Sequence, residues 1–107
     1  MGGHLNPERI TVIGAGVSGV ALAMLARSLG ARVFLSETKT DIPDDSISQL
    51  EKHQISFECG GHSPKAWEAD LVVISSGISP KSEAVISARE RGLPVVGEID
   101  FAAPHLK

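Results

Sequence analysis

The sequence is short of sulfur and of aromatic rings: 107 residues hold one cysteine, no tyrosine, one tryptophan and three phenylalanines. A lone thiol, Cys59, builds neither a disulfide framework nor a thiolate metal cluster, and it suits a reducing, cytoplasmic setting. With so few aromatics the core must come from Val, Ile, Leu and Ala, the aliphatic bias of a parallel sheet buried on both faces. Positive charge is also scarce. The net charge is −3 and the ten basic residues are scattered, which argues against nucleic acid or an anionic membrane as partner. No apolar run reaches the ~20 residues that span a bilayer. The longest candidate, residues 17–29, is broken by Ser18, Gly19, Arg27 and Ser28. No signal peptide is recognisable, and residues 1–7, opening Met1-Gly2-Gly3-His4, read as a leader outside the fold.

What is present is the composition of a soluble globular domain, 42% hydrophobic and 21% charged, with a length that suits one domain over residues 1–107. Residues 9–14 (RITVIG) form a β-branched run ending in glycine, a buried first strand. Residues 17–29, rich in Ala, Leu and Met, predict a helix closed by Gly30. A second strand follows at 32–36, then a polar loop at 38–43. Asp44 or Asp45 is expected to N-cap a helix to about residue 54. A weaker third strand covers 55–59, with a loop at 60–64. The rhythm then repeats: a strand at 70–75, a loop at 76–81, a helix at 82–91 stopped by Gly92, and a strand at 94–97. Residues 98–103 open a further helix or a linker. Alternating strands and helices imply parallel pairing with right-handed crossovers. The expected fold is α/β, a Rossmann-like doubly wound five-stranded parallel sheet with flanking helices. Ligands of such sheets bind outside the carboxyl ends of the strands, where strand order reverses.

The loop after the first strand, Gly14-Ala15-Gly16-Val17-Ser18-Gly19, has the G-x-G-x-x-G pattern. Gly14 permits a tight turn, Gly16 lets a phosphate approach the backbone, and Gly19 allows close helix–strand packing. The helix start adds unpaired N–H groups and partial positive charge, which together favour a pyrophosphate. This is not a Walker A loop: Gly19 is followed by Val20-Ala21, with no Lys-Ser/Thr to serve phosphoryl transfer.

Glu37 follows Gly19 by 18 residues, close to the spacing of the acidic residue that contacts a ribose in dinucleotide enzymes, and it is continued by Thr38-Lys39. On that spacing an NAD-binding domain of a dehydrogenase or regulatory protein stays open, as does a non-catalytic domain with an empty Rossmann-like shell. After the fourth strand comes Ser75-Ser76-Gly77-Ile78, whose small residues leave room for a ring or sugar facing the glycine loop.

Two segments, VIGAGVSGVALAMLARSLGARVFLSETK and ADLVVISSGISPKSEAVISARERGLPVVGEIDF, make the chain resemble the Mur ligases, the ATP-dependent enzymes that add amino acids to the UDP-linked precursor of peptidoglycan. A strand ending in Ser-x-Gly-Ile, a helix and then Gly-x-Pro-Val-x-Gly-Glu resembles the D-glutamate-adding branch. The resemblance covers roughly residues 8–103 and implies an N-terminal substrate-binding domain. In that likeness Val17 and Ser18 offer backbone N–H groups, and Ser18 its hydroxyl, to the UDP pyrophosphate. Glu37 and Thr38 match an Asp-Thr pair at the uracil edge, Lys39 stands where Arg is usual, and Ser75, Ser76 and Gly77 match a Ser-Pro-Gly loop beside the uridine. Three departures stand out. Glu37 is longer by a methylene, Lys39 lacks a planar guanidinium, and Ser76 lacks proline's rigidity.

The resemblance further implies UDP-N-acetylmuramoyl-L-alanine as partner and ATP with Mg2+ as needs of a full-length enzyme. Its central and C-terminal domains would phosphorylate the substrate carboxylate before D-glutamate attacks the acyl phosphate. This chain would hold the UDP handle, be inert alone and use no cofactor of its own. Other residues invite simpler readings. His4, His53, His62 and His105 lack metal-ligand spacing and read as surface or loop residues. Cys59 reads as a small buried residue, Asp44-Asp45 as a helix cap, Trp67 as cover for the core margin, and Arg89-Glu90-Arg91 as a solvated helix end.

Overall fold

The computed structural model describes residues 9–105; the leader expected at 1–7 lies outside them. The described elements alternate. Strand β1 (Arg9–Ile13) leads to helix α1 (Val17–Ser28), β2 (Arg32–Glu37) to α2 (Asp44–Lys52), and β3 (Ser56–Cys59) to a 3-10 turn at Pro64–Trp67. Then come β4 (Leu71–Ile74), α3 (Glu83–Glu90), β5 (Val95–Gly97) and the short α4 (Glu98–Ala102). The five strands pair in parallel in the order β3-β2-β1-β4-β5. The chain runs outward from β1 to β3, then returns to the other side of β1 for β4 and β5. The order therefore reverses between β1 and β4.

Alternation along the strands assigns the two faces. Ile10, Val12, Val33, Leu35 and Val73 pack with α1 and with Leu50 of α2 in one cluster. Ile13, Val72 and Ile74 pack with Ala84, Val85 and Ala88 of α3 in another. Val12, Leu35, Leu50, Val72 and Val73 are fully buried, and burying an aliphatic side chain of that size contributes roughly 1.5–3 kcal/mol. These side chains come mainly from the central strands, so the sheet is the rigid platform on which the loops sit.

Helices α1, α2 and α3 end alike. Ala31 N–H reaches the Ala26 carbonyl at 3.2 Å, Ile55 N–H that of Leu50 at 2.8 Å, and Leu93 N–H that of Ala88 at 3.0 Å. Each is the six-to-one bond of a Schellman motif. Gly30 and Gly92 hold the left-handed position in two of them, but Gln54 holds it after α2, with φ 58°.

Two expectations need correction. Asp44 and Asp45 do not cap α2. Pro43 is the N-cap, its carbonyl accepting Ile47 N–H at 3.0 Å, and the two carboxylates lie in the first turn, where the helix dipole favours them. Cys59 is exposed rather than buried. It ends β3, which is an edge strand, and its thiol donates to the Thr40 carbonyl at 3.3 Å. Trp67 meets its expectation, being half-buried at the margin of the α3 cluster.

Candidate functional site

At the carboxyl ends of the strands the backbone is stitched tightly. Gly14 N–H donates to the Ser36 carbonyl at 2.9 Å, and Ser75 N–H to that of Ile13 at 3.1 Å. Gly14 has φ 106°, and a Cβ there would press on the Ser75 hydroxyl. A Cβ on Gly19 would fall on the Gly14 carbonyl. Both glycines are thus demanded by the close approach of α1 and the β4 loop to the turn after β1. Helix α1 starts at an extended Gly16 with no side-chain cap and no acidic residue in its first turn. Its first N–H groups, on Val17, Ser18 and Gly19, are left open together with the positive end of the helix dipole. Helix α3 differs, since the Ser82 hydroxyl accepts Val85 N–H and Glu83 occupies its first turn.

The residues singled out in the sequence converge here. Gly14, Gly16, Val17, Ser18 and Gly19 form one wall of a cleft of ≈ 340 Å³, Glu37, Thr38 and Lys39 a second, and Ser75, Ser76 and Gly77 a third. Ile78 also lines it. The hydroxyls of Ser18 and Ser76 lie 3.5 Å apart across its mouth. A separate hollow of ≈ 260 Å³, with Arg9, Arg32, Phe34 and Lys65 in its lining, lies toward the amino ends of the strands. Parallel sheets do not place their ligands at that end, and its Arg9 is paired with Asp70 at 3.6 Å.

Glu37 is turned inward. One carboxylate oxygen accepts Ala15 N–H at 2.7 Å, and the other accepts Lys39 N–H at 3.0 Å and the Thr38 hydroxyl at 3.3 Å. Burial works to raise its pKa, but the bonds from Lys39, Ala15 and Thr38 outweigh that and hold it below the ordinary 4.5. An ionised Glu37 therefore ties β2 to the glycine loop.

Sequence reading missed two features of the site. Glu98, at the start of α4, accepts Ser76 N–H at 2.9 Å and so clamps the β4 loop. His62 is not an idle loop residue. Its Nδ1 lies 2.6 Å from the Ser36 hydroxyl, which donates to Glu58 at 2.7 Å, and Glu58 also accepts Ser63 N–H at 2.8 Å. Burial would raise the Glu58 carboxyl, but its bonds from Ser63 and Ser36 and the nearby His62 hold it low. Burial lowers the His62 imidazole, and Glu58 and Glu37 offset this only in part. Ser36 lies on β2, Glu58 on the adjacent β3, and His62 and Ser63 on the loop after β3, so only the pairing of β2 with β3 brings Ser36 to them.

The match to known proteins follows the same ground. Residues 9–84 match the model of the MurD N-terminal domain. The chain belongs to that family. A UDP-N-acetylmuramoylalanine–D-glutamate ligase from Pelodictyon phaeoclathratiforme is 44% identical over 103 residues, 96% of this chain and 22% of that protein. One of the same name from Chlorobaculum parvum is 44% identical over 105 residues, 92% of this chain and 22% of that protein. The chain thus spans about a fifth of the length of these members. Among solved structures, a murein peptide ligase from Psychrobacter arcticus shares the fold at a TM-score of 0.76 and 24% identity, over 92% of this chain and 21% of that one. The matched stretch contains the glycine loop, Glu37 to Lys39 and the β4 loop, and so every wall of the cleft.

Proposed function

We propose that this chain is the substrate-anchoring module of a UDP-N-acetylmuramoyl-L-alanine:D-glutamate ligase, holding the UDP end of its substrate while other domains do the chemistry. The observation that carries the reading is the cleft at the β1/β4 reversal, where the open N-terminus of α1 faces two loops of small and polar residues. Val17, Ser18 and Gly19 supply N–H groups to the pyrophosphate. Ser18 and Ser76 close over it from opposite sides. Thr38 and Lys39 flank the nucleoside, Lys39 adding a positive charge, while Ser75 and Gly77 leave space for the ring and sugar. Glu37 shapes the glycine loop from behind. That engagement argues against an NAD-type role, in which this carboxylate would be turned to a ribose diol.

In this reading ATP and Mg2+ act in the central and C-terminal domains, the site of action is the cytoplasm, and the chain alone is inert. Amide NMR shifts during titration with UDP-N-acetylmuramoyl-L-alanine, and separately with NAD+, test it. Saturable shifts at Val17, Ser18, Thr38 and Gly77 are expected with the UDP compound only. The same loops responding to NAD+ alone would overturn the reading.

A further inference from the structure

The loop after β4 stands between two hollows. Ser75, Ser76 and Ile78 line the main cleft on one side. On the other they border a hollow of ≈ 300 Å³ whose lining also includes Gly97, Glu98 and Ile99. The loop is thus a thin partition, and Ser76 and Gly77 within it are exposed, so packing does little to fix them. Their placement depends on hydrogen bonds. Ile78 N–H donates to the Ser75 carbonyl at 3.0 Å, which closes a four-residue turn with Ser76 at its second position.

In the common β-turns that second position takes φ near about −60°, the angle to which a proline ring is pre-set. A serine there leaves the angle to be held from outside, and it keeps an N–H that needs an acceptor. The strand register supplies one. β4 pairs with β5 as far as Ile74 and Gly97, so the next residues, Ser75 and Ser76 on one strand and Glu98 on the other, leave the sheet side by side. Glu98 Oε1 accepts Ser76 N–H at 2.9 Å. While its N–H is held from behind, the Ser76 hydroxyl stands 3.5 Å from that of Ser18 at the mouth of the cleft.

We propose that Glu98 is a positioning residue for the anchoring cleft: it restrains the β4 turn as a proline ring would, and by fixing Ser76 it sets how tightly a nucleoside diphosphate is held. The proposal rests on the UDP-anchoring role. Glu98 lines the hollow behind the partition and not the cleft itself, so it acts on the ligand only through Ser76. Because Glu98 is also the first residue of α4, the same bond ties one wall of the cleft to the β5 end of the sheet.

UDP titrated into the chain and its variants, followed by amide NMR shifts at neutral pH, tests this. Glu98→Ala is expected to weaken UDP binding roughly fivefold, the scale of one hydrogen bond, and to speed exchange of the Ser76 amide with water. Glu98→Gln keeps the acceptor oxygen, so it is expected to bind within about twofold of the parent. Ser76→Pro separates positioning from a general loss of stability. Proline has no N–H for Glu98 to accept and fixes φ by itself. Adding Glu98→Ala to Ser76→Pro is therefore expected to change UDP affinity no further, whatever affinity Ser76→Pro has alone. Three results would each overturn the positioning role and leave the anchoring role standing: Glu98→Ala binding UDP like the parent, Glu98→Gln as weak as Glu98→Ala, or an equal loss from Glu98→Ala with serine and with proline at position 76. No response to UDP anywhere in the parent chain would refute the anchoring role itself, and the positioning role with it.

Discussion

Replacing Glu37 by Gln probes the junction on which the cleft depends. The carboxylate receives Ala15 N–H on one oxygen, and Lys39 N–H with the Thr38 hydroxyl on the other. An amide has one acceptor and one donor end. Whichever way it turns, an N–H of the amide faces a backbone N–H. The variant loses the charge on these bonds and sets donor against donor. Hydrogen bonds to a charged group contribute about 1.5–3 kcal/mol each. Glu37 is only half-buried, so water can replace part of the loss, and a net cost of about 1–2 kcal/mol is expected. For a domain of this size that lowers Tm by roughly 5–15 °C. Thermal melts followed by circular dichroism across pH give the test. The pKa of Glu37 is depressed in the folded state, so its contribution is present above the ordinary 4.5 and lost as pH falls through the folded value. Glu58 and His62 are depressed too, so both proteins weaken in acid. The difference between them is what isolates Glu37. It should be constant near neutrality and shrink below about 4.5. Equal melting at neutral pH, or a gap that persists undiminished in strong acid, would refute the assignment.

Two further substitutions test the backbone. Gly19→Ala puts a Cβ onto the Gly14 carbonyl, whose carbon would lie 2.7 Å away; backbone cannot swing aside as a flexible side chain can. A loss of about 1–3 kcal/mol in urea unfolding is expected, and a variant as stable as its parent would contradict the packing described. Gln54→Gly relieves a left-handed residue at the end of α2. It should stabilise by about 0.5–1 kcal/mol, after allowance for glycine's freedom in the unfolded chain. A lower Tm for this variant would mean that the Gln54 side chain contributes more than its conformation costs.

The cleft was more legible than the polar groups behind it. G-x-G-x-x-G compresses a turn, a close approach and a helix start into six adjacent residues, so local chemistry identified it. Thr38, Lys39 and the small residues after β4 could be marked because a doubly wound sheet must bring strand ends together. The bonds of Glu37 to Ala15 and of Glu98 to Ser76 each span 22 residues, and Ser36 reaches Glu58 and His62 from the neighbouring strand. The start of α2 departs from the expectation because Pro43, pre-set in φ, takes the cap position that Asp44 or Asp45 suits by residue type. Cys59 was misread because burial of a strand end depends on whether the strand lies at the edge, which hydrophobicity near 55–59 does not encode.

By itself, the sequence determined the alternation of strands and helices, the aliphatic character of the core, and the uncapped glycine start of α1, because these follow from near-neighbour sterics and periodicity. Tertiary structure alone decided that Glu37 turns inward, that Glu98 clamps the β4 loop, and that Ser36 joins Glu58 to His62. Hydrogen bonds between strand ends depend on the strand order β3-β2-β1-β4-β5, and that order exists only once the whole sheet has assembled.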